Sequence, residues 1–356
     1  MDRTAVSWKI SRPTVPDALP RERLFKKLDE ARSSPVIWIS GPAGSGKTTL
    51  VSSYIDSRNL PCIWYEIDET DIDLAGFFYH LRLAAGEIID EKELLLPELG
   101  AEQIASFLPF TSNFFYQLTS ALPTSSLLVF DNYQNVLDES VLRQVFIQAA
   151  GKISPGVNIL IISRKEPTPP FSKLLAKREL ETLGWKDIKL DLEEFKQILK
   201  LHVKNRIDAK TIRSLHQKLE GWVSGLILLS EYLRLEDADP KSVLSSLPRE
   251  YFDYFAHEIF EKLEPEVREL LLKTSVLEAF SPEMADQLTE MNRSELILEY
   301  LHNNNLFVER ISHSPLYYRF HHLFGEFLSN QAKRAYSQKN IKEIMANAAR
   351  ILLEHG

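Results

Sequence analysis

Four short apolar runs, at 36–40, 62–67, 126–130 and 157–162, punctuate the first half of the chain. Between them lie segments with helical spacing at 48–56, 73–86, 101–121 and 138–150. Short strands alternating with helices predict an α/β fold with a parallel sheet covered on both faces. From about 186 onward the period changes. Leu192, Phe195, Ile198 and Leu199 recur at helical spacing, as do Ile212, Leu215 and Leu219. Three or four short helices are expected there, ending near Ser245-Ser246-Leu247-Pro248.

A third pattern follows. Pro265 and Pro282 each stand where a first helical turn would begin, and Ser281 is placed to cap the second of these helices. A helix over about 293–302 leads into the runs 306–311 and 316–320, separated by His313-Ser314-Pro315. That is a hairpin, and a further helix starts near His322. Helices followed by a hairpin predict a winged-helix layout. The expected division is a lead-in over 1–33, an α/β domain over 34–185, a helical domain over 186–248 and a winged helix over 249–332. Residues 333–356 then begin a further helical region.

Charge decides what this winged helix can do. Residues 249–330 hold seven Lys/Arg against fifteen Asp/Glu, a net of minus eight. Binding duplex DNA rests on cations neutralising phosphates, so an internal, regulatory winged helix is expected. The whole chain carries a formal net charge of -8 over 356 residues, which argues against a nucleic-acid binder. Its 44% hydrophobic and 26% charged residues are those of a globular protein of two to four domains. Cys62 has no cysteine to pair with in the chain and lies in an apolar run, as a structural thiol in a reducing compartment would. With no secretory signal and no run long enough to span a bilayer, a cytoplasmic location without membrane contact is expected.

The candidate chemistry begins at the end of the first apolar run. Gly41-Pro42-Ala43-Gly44-Ser45-Gly46-Lys47-Thr48-Thr49 is a full Walker A phosphate-binding string, preceded by a strand and followed by a helix. The glycines permit the tight loop and leave room for phosphate oxygens. Lys47 is placed to neutralise β- and γ-phosphates, and the Thr48 hydroxyl to join the shell of a Mg²⁺ ion. The run Ser126-Leu127-Leu128-Val129-Phe130 ends in Asp131, a Walker B pattern whose carboxylate would hold the same ion. Asn132 follows it, where many P-loop ATPases carry a second acid; an amide is a very weak base, so hydrolysis should be slow. Another buried run, Ile159 to Ser163, ends in Arg164, which could sense a γ-phosphate or simply cap a sheet edge.

At this point the strings resemble a known family. The order of KISRP, RERL, GPAGSGKTTL, WYEIDETD, LLVFDNYQ, ILIISR, LEGWVSGL, LLKTSVL, NNNLFVERI and YYRFHHLFGEFL is similar to that of the signal-transducing STAND ATPases. Within them it is most like the MalT-like, large ATP-binding LuxR-type regulators. The resemblance implies that Gly41 to Thr49 bind phosphates, that Asp131 holds Mg²⁺ and that Arg164 is a sensor. It also implies that His321 contacts the β-phosphate of bound ADP, with His322 at the acidic position of the related Met-His-Asp motif. The lead-in near Ile10 to Pro13 and Arg21-Glu22 would line the adenine pocket. Three departures stand out: Asn132 in place of an acid, His322 in place of Asp, and no proline in Gly225-Leu226-Ile227-Leu228. The likeness also implies a longer parent with a sensor domain and a C-terminal DNA-binding domain, so the chain is expected to be a truncated piece or a natural short form.

The expectation is therefore an ATP/ADP switch with weak ATPase activity, resting with ADP and self-associating with ATP. DNA would be reached only through a domain outside this chain. The alternatives are P-loop enzymes with true turnover: a kinase, which needs an acceptor pocket, or a DNA-dependent ATPase or remodeller, which needs basic surfaces. His257-Glu258 lacks the second histidine of a zinc protease motif.

Overall fold

A computed structural model describes residues 9–15, 18–89, 96–100, 106–137, 139–203, 207–235, 260–304, 306–313 and 316–355. The expected boundary at Ser245 to Pro248, the pair His257-Glu258, residues 101–105 of the expected third helix and Ser314-Pro315 of the turn lie outside the described residues. The chain divides into two compact units. One comprises Met1–Gly41 and Gly46–Ile188; the other comprises Pro42–Ser45 and Lys189–Gly356.

The first unit is α/β. Its elements are α1 (Glu22–Ala31), β1 (Val36–Ser40), α2 (Lys47–Arg58), β2 (Cys62–Glu66), α3 (Leu74–Ala85) and α4 (Phe107–Ala121). They continue with β3 (Leu127–Asp131), α5 (Val141–Ala150), β4 (Asn158–Ser163), α6 (Ser172–Ala176), β5 (Leu180–Leu183) and α7 (Trp185–Ile188). All five strands are parallel in the order β2-β3-β4-β1-β5. The central strands are buried from end to end because both sheet faces are covered. Successive side chains of β1 feed opposite cores. Val36 and Trp38 join Phe77, Phe114, Phe130 and Phe146, whereas Ile37 and Ile39 join Leu24, Leu28, Leu50 and Tyr54.

The four predicted strands form within a residue of the apolar runs that announced them. The fifth, β5, went unpredicted. Leu180 and Leu183 are buried, but Glu181 and Thr182 between them are exposed. So short and half-polar a run shows no period; its pairing with β1, Val36 opposite Leu180, makes it a strand. Cys62 is a free thiol whose burial pushes its pKa up to about 12, which suits an inert structural role.

The lead-in is anchored by charge. Lys9 Nζ lies 2.9 Å from both Asp68 and Asp71 and donates to Thr70 Oγ1 at 3.2 Å. Tyr65 donates its hydroxyl to Asp71 Oδ1 at 2.6 Å, and the Lys9 ammonium lies over the Tyr65 ring. Lys9 and Asp71 are almost wholly buried.

The second unit, apart from its four loop residues, is mostly helical. It contains α8 (Leu192–His202), α9 (Ala209–Leu219), α10 (Val223–Leu235), α11 (Pro265–Thr274), α12 (Pro282–Thr289) and α13 (Ser294–Asn303). The antiparallel hairpin β6 (Val308–His313) and β7 (Leu316–Phe320) follows, then α14 (His322–Ala335) and α15 (Gln338–His355). Local chemistry sets the ends of these helices. Asp191 and Glu194 form a capping box at α8, Pro265 and Pro282 occupy first turns, and Ser281 Oγ accepts from Met284 N. Phe280 exchanges backbone hydrogen bonds with Tyr318, tying α12 to the hairpin. The Lys218 ammonium lies 3.5 Å from Glu326, so α9 and α14 pack within the same unit. Among the described residues no helix is long and apolar enough to cross a membrane.

Lys9→Met removes the cation that pairs with Asp71 among the described residues while keeping the stem. The isolated carboxylate should cost about 3–5 kcal/mol, read as a lower urea midpoint followed by tryptophan fluorescence.

Candidate nucleotide-binding site

The carboxyl ends of parallel strands are where an open α/β sheet presents its chemistry. β1 ends at Ser40 and delivers the loop 41–46; α2 begins at Lys47. Gly46, the N-cap, has φ 79°, in the left-handed region that glycine enters without cost. Lys47 donates from Nζ to the Gly41 carbonyl at 2.8 Å, curling the side chain back over the loop's start. Its pKa is pulled down to about 7, chiefly by burial, then by the neighbouring Arg164 charge, against the opposing pull of Asp131.

Thr48, one residue on, donates from Oγ1 to Asp131 Oδ2 at 2.8 Å. Asp131 closes β3 and is only 5% exposed; burial raises its pKa despite hydrogen bonds from the Thr48 hydroxyl and the Asn132 backbone N–H. A hydroxyl and a buried carboxylate side by side are hard oxygen donors. They fit a Mg²⁺ ion whose remaining positions would be taken by phosphate and water. Arg164 follows β4, exposed, with its backbone N–H donating to Gln134 Oε1 at 3.0 Å. Lys47, Thr48, Asp131 and Arg164 thus meet at one edge of the sheet.

Three residues here, Glu66, Gln134 and Trp222, were not singled out from the sequence. Glu66 ends β2 opposite Asp131 in the strand register. Asn132 donates from Nδ2 to Glu66 Oε1 at 2.9 Å and accepts from Gln134 Nε2 at 3.0 Å. Burial first, then the charge of Asp131, raises the Glu66 pKa. Glu66 sits in the string WYEIDETD, but only strand register brings it beside the Walker B carboxylate.

The third is Trp222. In the second unit its indole N–H donates to the Ala43 carbonyl at 2.9 Å, and Ser224 N–H donates to the Gly44 carbonyl at 3.0 Å. Gly44 has φ 69°, and a methyl there would come within 2.5 Å of the Ser224 hydroxyl. Loop residues 42–45 are therefore held by the segment entering α10. His321 is also in this unit. It is 2% exposed, its N–H donates to the Phe307 carbonyl at 2.9 Å, and its ring faces Trp222 and Phe307 at 6.4 and 5.7 Å. His321 Nε2 lies 3.7 Å from Glu220. The lead-in packs on α2 instead: the Arg12 guanidinium pairs with Asp56, and Ser52 donates to the Pro13 carbonyl.

This is the architecture of a P-loop NTPase joined to a helical and winged-helix unit. A profile of the MalT winged helix domain matches residues 256–340, and one of the nephrocystin 3 N-terminal region matches residues 17–164. The chain is 25% identical over 350 residues to the HTH-type transcriptional regulator MalT of Vibrio parahaemolyticus, covering 96% of this chain and 38% of that protein. Against MalT of Yersinia pestis the identity is 26% over 337 residues, 91% of this chain and 36% of the relative. The Walker-type ATPase of Pyrococcus abyssi shares the fold, with TM-score 0.60 at 14% identity over 91% of this chain and 99% of that one. These matches bear out the resemblance to the MalT-like STAND regulators along nearly the whole chain, which spans less than two fifths of those relatives' length.

Trp222→Phe keeps the aromatic packing but leaves the Ala43 carbonyl without its indole donor. Hydrogen–deuterium exchange at the amides of residues 43–45 should rise several-fold, reflecting a lost hydrogen bond of about 1 kcal/mol.

Proposed function

We propose that this chain is the nucleotide-operated switch of a MalT-like transcriptional activator, binding ATP and ADP with Mg²⁺ and hydrolysing ATP slowly. The observation that carries the reading is that Lys47, Arg164 and the Thr48–Asp131 pair meet at one sheet edge, with Thr48 Oγ1 donating to Asp131 Oδ2 at 2.8 Å. Two cations beside a hydroxyl and a carboxylate are complementary to a polyphosphate with its metal ion. Backbone N–H groups within residues 41–49, other than Pro42, and the start of α2 would hold the phosphates, with Lys47 on the β- and γ-oxygens. Thr48 and Asp131 would hold the metal, which when bound neutralises phosphate charge. Arg164 would respond to the γ-phosphate.

His321 would donate to the β-phosphate. Its support is that its ring lies against Trp222, which holds Ala43, so the imidazole and loop residues 42–45 fall in one unit. The lead-in near Ile10 to Pro13 and Arg21-Glu22 would flank adenine. In domain terms, 34–185 binds nucleotide, while 186–248 and 249–332 are the helical and winged-helix parts that respond to it.

The switch works by differential affinity. ADP favours a resting form, and ATP favours one that self-associates; a ligand can shift such a balance only as far as it binds the two forms unequally. Hydrolysis resets the switch and need not be fast. In a full-length regulator an inducer would bias the same balance through a sensor domain, and DNA would be bound through a C-terminal domain. The acidic winged helix, net minus eight over 249–330, suits an internal role.

Lys47→Ala should abolish ATP and ADP binding in calorimetry, and unchanged affinity would remove the central assignment. His321→Ala should lower the amount of ADP that copurifies and shift gel filtration in ATP toward larger species. ADP retained at the parent level would detach His321 from the nucleotide.

A further inference from the structure

We propose that Glu66 is the carboxylate that orients and deprotonates the attacking water, in place of the acid missing at position 132. This rests on the nucleotide-switch reading and goes beyond it by assigning the chemical step. Hydrolysis at a P-loop needs a group that accepts a hydrogen bond, and then a proton, from water in line with the terminal phosphorus. Asn132 holds the expected position but cannot take a proton. Its amide is also committed elsewhere, with Nδ2 donating to Glu66 Oε1 at 2.9 Å and Oδ1 accepting from Gln134 Nε2 at 3.0 Å.

The backbone enforces that commitment. Asn132 sits at φ 59°, a left-handed conformation that asparagine tolerates better than most residues, directly after the buried Asp131. Glu66 is equally well fixed. It pairs with Asp131 in the parallel ladder, and the ladder continues past it through Ile67 N–H donating to the Asp131 carbonyl at 2.9 Å. Asn135 Nδ2 then donates to the Ile67 carbonyl at 2.9 Å, closing the segment after β2 onto the segment after β3. Glu66 stays partly exposed at the carboxyl edge, the side from which a substrate would approach. A carboxylate has about four lone-pair sites, and the Asn132 amide takes one of them.

The same bonds reach Arg164. Its N–H donates to Gln134 Oε1 at 3.0 Å, so a run of two side-chain amides joins the residue after β4 to the carboxylate ending β2. A shift of Arg164 toward a terminal phosphate would be felt at Glu66 through Gln134 and Asn132. In the step itself, the water oxygen attacks the terminal phosphorus and one water proton passes to the Glu66 carboxylate. The bond from that phosphorus to the bridging oxygen breaks, and its electron pair leaves with ADP. The proton on Glu66 is released with inorganic phosphate.

The test uses the whole chain and its Glu66→Gln, Glu66→Gln/Asn132→Asp and Lys47→Ala variants. Calorimetry with ATP and ADP is run beside single-turnover hydrolysis of ATP. Glutamine keeps the carbonyl oxygen that accepts from Asn132, so Glu66→Gln should melt at the parent temperature and bind both nucleotides within twofold. Its turnover should fall about 100-fold, the scale of a lost general base. The double variant returns a carboxylate across the same hydrogen bond and should recover at least about tenfold of that loss. Parental turnover in Glu66→Gln, or a loss of affinity matching the loss of turnover, would overturn the proposal. So would a double variant no faster than Glu66→Gln, or a parent that binds ATP without hydrolysing it. Failure of the underlying reading looks different: the parent would bind neither nucleotide, or Lys47→Ala would bind as the parent does.

Discussion

A lysine turned back over a tight glycine loop, beside a second cation and a buried carboxylate, is the constraint on which this molecule is organised. Lys47 Nζ is held over the start of the loop by its hydrogen bond to the Gly41 carbonyl at 2.8 Å. Burial then pulls its pKa toward neutrality, and the proximity of Arg164 pulls it further. Asp131 offsets part of this, yet its own ionised form is penalised by the same burial.

The parallel sheet makes that concentration possible. In the order β2-β3-β4-β1-β5 every strand ends on the same edge, so residues remote in sequence converge there without long side chains. Lys47, Asp131, Arg164 and Glu66 follow four different strands. Their spacing is set by ladder register, and the register is held by two cores, one aromatic and one mainly aliphatic, on opposite faces. A slip of one residue in β2 would turn Glu66 to the other face and send Tyr65 out of its core.

The loop's middle has a second set of partners. Trp222 and Ser224 grip the carbonyls of Ala43 and Gly44, and His321 packs behind Trp222. Hydrogen-bonding of these loop carbonyls by the segment that opens α10 gives the helical and winged-helix unit a direct stake in the loop's shape. Any ligand that reshapes residues 42–45 must act on those bonds.

Much of this was legible in the chain. The apolar runs at β1 to β4 announced a doubly covered parallel sheet because buried strands need continuous hydrophobic residues. The Walker strings were readable because phosphate binding demands glycine, lysine and threonine at fixed spacing. Helix starts at Pro265, Pro282 and Ser281 were readable because capping is local chemistry. What the chain alone left unsaid depends on distance in space. β5 is a strand only because β1 lies beside it, since Leu-Glu-Thr-Leu carries no period of its own. Glu66 looked like one polar residue at the end of an apolar run until register set it opposite Asp131. Trp222 was one residue of the string LEGWVSGL until its indole met Ala43. The sequence by itself determined most of the elements and the Walker strings, whose signals are local; the tertiary structure decided the fifth strand and which carboxylate, amide and indole lie beside those strings, because such pairings exist only where separate segments meet.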